Sequence, residues 1–370
     1  MHKCLVLAVF TFQFALSKTT YYRDVNDINN KLGGHSLIPN GRHIRIGILT
    51  YNFTPRHSAI TENKGHFAKA AQRDRLDYYS ERTWVNGNYI RWMRNFDIEV
   101  VIVDQKLELE ELRKVMNTLN GVIMPGGDIS LYNLSNRIVI DNGEPIITET
   151  YTLAPLMVFF QNVHKVANEI NTKRRFPLWG SCLSSEAIAI LETNHKLKLQ
   201  DVGNEAMQDL NIKILPGTGF NAYMDDTPDI KKSAQHDKLA FFNHVKGFFI
   251  EDYQGSQELQ NNFDLLATVK NIENREIVAL LESKTKPYLL VQFHEERILL
   301  SKKLKPLNNS PIALEFSHIM LRYFLNKVDN WIYDPSTNTD HELVQNLTTF
   351  DQIFEIPIRS TLGTALIFKR

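Results

Sequence analysis

This chain of 370 residues predicts an α/β fold: a three-layer α/β/α sandwich with a mostly parallel central sheet and a small antiparallel extension. Three observations predict it. Short runs rich in Val and Ile alternate with amphipathic segments of helical period. Three of those runs stop at turns bearing Gly-Gly, Cys or His, as strands of an open sheet do where a site is built at their carboxyl ends. Late in the chain, strand candidates follow one another closely, with a turn-like connector between the first two.

In chain order, HIRIGILT (43–50) reads as a short apolar strand. TWVNGNYIRWMRNF (83–96) carries Trp84, Tyr89, Trp92, Met93 and Phe96 at helical spacing and predicts a helix. DIEVVIVD (97–104) is a second strand, and the unbroken run Val100 to Val103 predicts burial on both faces. ELEELRKVMNTL (108–119) is a helix with an acidic start, and GVIMPGGD (121–128) a strand running into a glycine turn. LAPLMVFFQNVHKVANEINTK (153–173) is a long amphipathic helix, FPLWG (176–180) a strand and SSEAIAILE (184–192) a helix. FDLLATVK (263–270) and REIVALLES (275–283), joined by NIENR, read as an antiparallel hairpin, and PYLLVQF (287–293) as a further strand. PIALEFSHIMLRYFLNKV (311–328) closes the core as a helix, and the stretch from about 200 to 235 reads as loop-rich.

Composition narrows the function classes. Lys+Arg and Asp+Glu each number 42, so the basic footprint of a nucleic-acid binder is absent. Beyond the N-terminus no apolar run approaches the ~20 residues that span a bilayer. The N-terminus itself pairs Lys3 with the apolar run CLVLAVFTFQFAL and the small residues Ala15 and Ser17. That pattern predicts a signal peptide over 1–17 and a polar, turn-rich leader over 18–42. Sequons at Asn52, Asn133, Asn308 and Asn346 agree with export, Asn308 being the poorest because Pro311 follows. An extracellular or a lysosomal or vacuolar destination fits equally, with no membrane association after cleavage.

The chain holds only Cys4 and Cys182. With Cys4 in the signal peptide, the mature protein keeps one cysteine and has no internal disulfide, an unusual state for an exported protein. A buried, inert Cys is the plainer explanation. The setting of Cys182 argues otherwise. In WGSCLSSE it stands between a strand and a helix, where a sharp turn exposes a side chain and the helix N-terminus favours thiolate over thiol. Gly180, Ser181, Ser184 and Ser185 are small enough to let backbone and substrate come close, the logic of a nucleophile elbow. In MPGGD, Gly126 and Gly127 can turn backbone N–H groups toward a developing oxyanion, although glycine turns also occur for purely structural reasons. In VQFHEE, His294 ends a strand as a base should, and a following glutamate can orient its ring. Taken singly, a strand-end His among 12, or a Glu-Glu pair, is more often surface; the joint occurrence carries the signal. No Cys/His cluster with zinc spacing occurs, so neither a metal nor a cofactor is expected.

The order MPGGD, PLWGSCLSSE, VQFHEE resembles the class I glutamine amidotransferase-like (flavodoxin-like) fold, and within it the gamma-glutamyl hydrolases, the folate polyglutamate hydrolases. The matching residues are Pro125, Gly126 and Gly127; Trp179, Gly180, Cys182, Leu183 and Glu186; and Gln292, His294 and Glu296. RIGILT, NGNYIRWMRNFDIEVVIVD and FFNHVKGFFI are also similar to family segments. The resemblance covers about residues 43–328, implying one catalytic domain there and leaving 329–370 as an extension without an assigned role. Two positions depart from the family pattern. Ser184 stands where the family has Gly, which predicts a narrower pocket or a shifted elbow, and Glu295 stands where it has Pro, which predicts a looser turn before Glu296.

The resemblance implies hydrolysis of γ-glutamyl amide bonds in folyl and pteroyl polyglutamates through a thioester. Cys182 would be the nucleophile, His294 the base and Glu296 its orienter. Backbone N–H groups at Gly126, Gly127 and Leu183 would form the oxyanion site. Glu186 and His244 are candidate substrate contacts; Glu186 reads equally well as a helix-face carboxylate. The implied partner is a small-molecule poly-γ-glutamyl folate, with a homodimer left open. Three alternatives remain at this point: glutamine hydrolysis feeding a synthase, an amidase or peptidase with another substrate, and a non-catalytic binding protein on the same fold. The leader and the absence of a synthase domain weigh against the first; substrate profiling would separate the second, and retention of Cys, His and Glu weighs against the third.

Overall fold

A computed structural model describes residues 44–52, 83–94, 96, 98–127, 131–141, 144–203, 208–296, 308–329, 351–358 and 363–369. The expected signal peptide and leader, and the sequon at Asn346, lie outside the described residues.

The core is an eight-stranded sheet. Its strands are β1 (Ile44–Leu49), β2 (Ile98–Val103), β3 (Gly121–Met124), β4 (Leu178–Ser181), β5 (Ile212–Ile214), β6 (Phe263–Lys270), β7 (Glu276–Ser283) and β8 (Tyr288–Val291). They lie in the order β5-β6-β7-β8-β4-β3-β1-β2. From β8 to β2 every pairing is parallel. From β5 to β8 every pairing is antiparallel. The predicted mostly parallel sheet with an antiparallel extension is the observed one.

Side chains on the strands alternate between two cores, as the period of two requires. Ile46 and Ile48 of β1, Ile123 of β3, Trp179 of β4 and Val291 of β8 enter one core. Helices α1 (Gly87–Arg94), α5 (Pro228–His236) and α6 (Pro311–Leu325) supply its other side. Leu49, Val122, Met124, Leu178 and Leu290 enter the opposite core, against α2 (Leu109–Met116), α3 (Pro155–Asn171) and α4 (Leu183–Glu192). Each such buried side chain contributes about 1.5–3 kcal/mol. Edge contacts of Trp179 with Trp92, at 5.3 Å between centroids, and with Phe324, at 5.7 Å, tie α1 and α6 to the strand before Cys182. α6 starts where Ser310 Oγ accepts from the N–H of Ala313 and Pro311 occupies the first helical turn.

The structure corrects four readings. The helix predicted over 83–96 is a strand, Thr83–Asn86, followed by α1; Asn86 Oδ1 accepts from the N–H of Asn88 and sets the change of direction. The stretch 132–153 holds a pair of antiparallel strands, Tyr132–Asp141 and Glu144–Leu153, where the periodicity had suggested no element. The Asn142-Gly143 dipeptide between them is the local hairpin signal. The segment from 200 to 235 contains helical and strand elements, among them Gly219–Tyr223, the start of α5 and β5. In the extension, Asp351–Ile358 and Gly363–Lys369 pair antiparallel. Gly363–Lys369 also pairs with Thr83–Asn86, which in turn pairs with Tyr51–Asn52.

Candidate active site

Strands β8, β4, β3 and β1 are neighbours and parallel, so their carboxyl ends form one row with steps of about 4.8 Å. Along that row stand His294 and Glu296 after β8, Cys182 after β4, Pro125-Gly126-Gly127 after β3, and Tyr51 after β1.

Cys182 has φ 49° and ψ −114°, a left-handed conformation unusual for a residue with a side chain. Holding it there costs about 1–3 kcal/mol, a strain typical of functional turns. Its N–H donates to Val291 O at 2.7 Å and its carbonyl accepts from Glu186 N at 3.1 Å, so β8 and α4 both grip the elbow. The side chain stands at the N-terminus of α4, where the peptide dipoles stabilise negative charge. A Cβ on Gly180 would meet Ser185 N at 3.0 Å, so strand and helix approach as closely as a glycine permits.

Ser184 neither narrows the pocket nor points into it. It is fully buried, accepts from the N–H of Ser181 at 2.9 Å and donates to the carbonyl of Met124 at 2.5 Å. The hydroxyl thus links the elbow to the end of β3.

His294 is buried, and its Nδ1 lies 2.9 Å from Oε1 of the buried Glu296. With the carboxylate accepting at Nδ1–H, Nε2 is the basic nitrogen, and it makes no hydrogen bond among the described residues. The backbone N–H of His294 donates to Phe241 O at 2.8 Å, which fixes the segment that carries the ring. Gly126 lies between base and nucleophile. A Cβ built on it would meet His294 Cε1 at 2.8 Å and Cys182 Cβ at 2.9 Å.

Of the three backbone donors expected, the N–H of Gly126 donates instead to the hydroxyl of Tyr89, at 3.3 Å. Those of Gly127 and Leu183 have no partner among the described residues. These two residues adjoin, since a Cβ on Gly127 would lie 3.5 Å from Leu183 Cδ2.

Around this centre lie several buried titratable groups. Glu186 accepts from Gln292 Nε2 at 2.9 Å, and burial pushes its carboxyl up to about 8. His244 Nδ1 donates to Lys246 O at 2.8 Å while its Nε2 has no partner among the described residues; burial brings its pKa down to about 4, with a further push from His294. Its neighbour Asn243 presents its carbonyl 3.9 Å from Cys182 Sγ. Glu295, read from sequence as one of a solvated pair, is buried, and neither carboxyl oxygen is hydrogen-bonded among the described residues. Burial, then the charges of Glu296 and Asp209, holds its carboxyl well above the usual range.

The structure thus brings Cys182, His294, Glu296, Gly126, Gly127 and Leu183 together, and sets Glu186 and His244 beside them. Tyr51 and Tyr89 were missed, because an aromatic residue in an apolar strand or helix carries no signal beyond core packing. Of the sequons, Asn52 and Asn133 lie on described strands. The side-chain amide of Asn308, the atom a glycan would take, donates to the carbonyls of Asp237 and Lys238.

No family model matches the chain. Among curated proteins it is 20% identical over 285 residues to the gamma-glutamyl hydrolase of Rattus norvegicus, covering 74% of this chain and 83% of that one. It is 25% identical over 216 residues to gamma-glutamyl hydrolase B of Dictyostelium discoideum, covering 58% of this chain and 56% of the relative, and so spans little more than half the length of that protein. The human gamma-glutamyl hydrolase is 20% identical over 250 residues, with 66% and 71% covered. A solved structure of a GMP synthase protein from Thermoplasma acidophilum superimposes with a TM-score of 0.41 at 13% identity, covering 78% of this chain and 96% of that one. In sequence, then, the chain is similar to gamma-glutamyl hydrolases, as its motifs implied.

Proposed function

We propose that this chain is a cysteine hydrolase of γ-glutamyl amide bonds, acting on folyl and pteroyl polyglutamates. The observation that supports it most directly is the setting of Cys182 and His294 against opposite sides of Gly126, with the imidazole held at Nδ1 by Glu296 and Nε2 without a partner among the described residues. His294 takes the thiol proton, and the sulfur attacks the γ-amide carbonyl. The N–H groups of Gly127 and Leu183 donate to the oxyanion, which in such a site lowers the barrier by about 3–4 kcal/mol per donor. The protonated imidazole then gives its proton to the leaving amine, the C–N bond breaks, and water hydrolyses the thioester with His294 again as base.

Glu186 and His244 are the proposed substrate contacts. A carboxyl that stays neutral up to about pH 8 offers a donor without repelling a polyanionic chain, and a neutral His244 presents an acceptor at Nε2. The leader and the sequons support a secreted or lysosomal or vacuolar glycoprotein. Among the described residues no helix is long and apolar enough to cross a membrane.

The test is incubation of the chain from Lys18 onward with a pteroylpolyglutamate at acid and neutral pH, with and without iodoacetamide. Release of glutamate or polyglutamate that alkylation abolishes supports the proposal. A Cys182→Ala protein that retains full cleavage overturns the mechanism. An intact thiol that cleaves other γ-glutamyl amides but not this substrate overturns the folate assignment alone.

A further inference from the structure

We infer that Tyr51 and Tyr89 are positioning residues of the oxyanion-binding turn, together holding a single peptide plane, Pro125–Gly126, at both of its polar ends. The inference rests on the hydrolase reading for the role of the turn. Tyr51, just past β1, donates its hydroxyl to the carbonyl of Pro125. Tyr89, in α1, accepts at its hydroxyl from the N–H of Gly126, at 3.3 Å. Those two atoms belong to one planar peptide unit, so bonds at opposite edges remove its freedom to rotate about the chain. A glycine turn needs such outside restraint, because glycine itself has little conformational preference. The next N–H along the chain is that of Gly127, whose residue adjoins Leu183. A Cβ at Gly127 would also lie 3.4 Å from Tyr51 Cε2, so the same tyrosine backs the donor by contact.

Both tyrosines are 1% exposed. Burial raises both phenols well above their ordinary range, with Cys182 adding to the effect at Tyr51 and Glu296 at Tyr89, so both stay protonated across the working pH range. Neither bonds to the reacting atoms in the proposed mechanism. Their effect passes through the turn.

The test compares two reactions of Cys182 in the chain from Lys18 onward and in its Tyr51→Phe and Tyr89→Phe variants, which keep each ring and lose one oxygen. With p-nitrophenyl acetate, the sulfur attacks the ester carbonyl, a C–S bond forms, the C–O bond to p-nitrophenolate breaks, and charge passes through an oxyanion. With iodoacetamide, the sulfur displaces iodide at a saturated carbon and no oxyanion forms. The expected result is acylation about tenfold slower or more in either variant, against alkylation within about twofold of the parent. The double variant should be no slower than the slower single one, since both bonds act on one plane. Parallel loss of both reactions, unchanged acylation, or a parent thiol that is alkylated but never acylated would overturn the inference. Thermal melting identifies a variant that fails to fold, and the other tyrosine then decides. A parent that is acylated by the ester yet leaves pteroylpolyglutamate uncut overturns the substrate reading, while the tyrosine comparison is still read from the ester.

Discussion

The ring of His294 lies directly against Gly126, its Cε1 2.8 Å from where a Cβ on that glycine would sit. Cys182 Cβ lies 2.9 Å from the same point. Gly126→Ala must therefore push base and nucleophile apart. Displacements of about 1 Å at such a centre cost on the order of 100-fold in rate. We expect that loss in kcat, with a cooperative thermal transition retained, and steady-state kinetics with parallel melting checks both.

Ser184 bridges the elbow and β3 through its hydroxyl. Ser184→Ala leaves the buried N–H of Ser181 without that acceptor, at a cost of about 1–3 kcal/mol. Because the hydroxyl faces away from the pocket, KM should stay within about twofold. Urea unfolding and a KM measurement on the same preparation separate the two effects. A KM that falls sharply in Ser184→Gly would show that the serine does restrict the pocket.

Stability should decline on both sides of a middle pH range. Glu186 has a folded pKa of about 8 against an ordinary 4.5, so the native state holds its proton more tightly and stability is lost as pH rises through that interval. His244 and His318 are depressed to about 4 from 6.5, mainly by burial, so their contribution is present above 6.5 and lost as pH falls toward 4. Glu186→Gln should flatten the alkaline limb, and His318→Gln the acid limb. Unfolding free energies measured from pH 4 to 9 test both signs.

Residues 351–369 complete the sheet that includes Thr83–Asn86 and Tyr51–Asn52. Deleting 351–370 uncovers the ladder of Thr83–Asn86 and leaves an open edge beside the two tyrosines that hold the Pro-Gly-Gly turn. We expect aggregation to increase and kcat to fall by more than tenfold at a KM near that of the parent, measured by light scattering and turnover on the same sample.

Much of the fold was legible because its signals are local. The strand at 263–270, the hairpin that follows and α6 lie where periodicity put them, within a few residues. The segment 83–96 misled because Trp84 and Tyr89 fit a helical stripe, whereas its first four residues pair with Tyr51–Asn52 and with 363–369, partners that no local window includes. Glu295 misled for a similar reason. A Glu-Glu pair is solvated unless neighbours enclose it, and here one does not merely lack solvent but sits among two further carboxyls.

By itself the sequence determined the alternating α/β order, the strand–turn–helix setting of Cys182, and the presence of Gly126, Gly127, His294 and Glu296 at strand ends, because periodicity and turn chemistry act over about ten residues. Tertiary structure alone decided that those ends are neighbours in the order β8-β4-β3-β1, that Ser184 turns inward, and that Tyr51 and Tyr89 meet the same peptide. Those outcomes depend on which strands pair and on where buried polar atoms find partners, and both are settled only when distant segments pack.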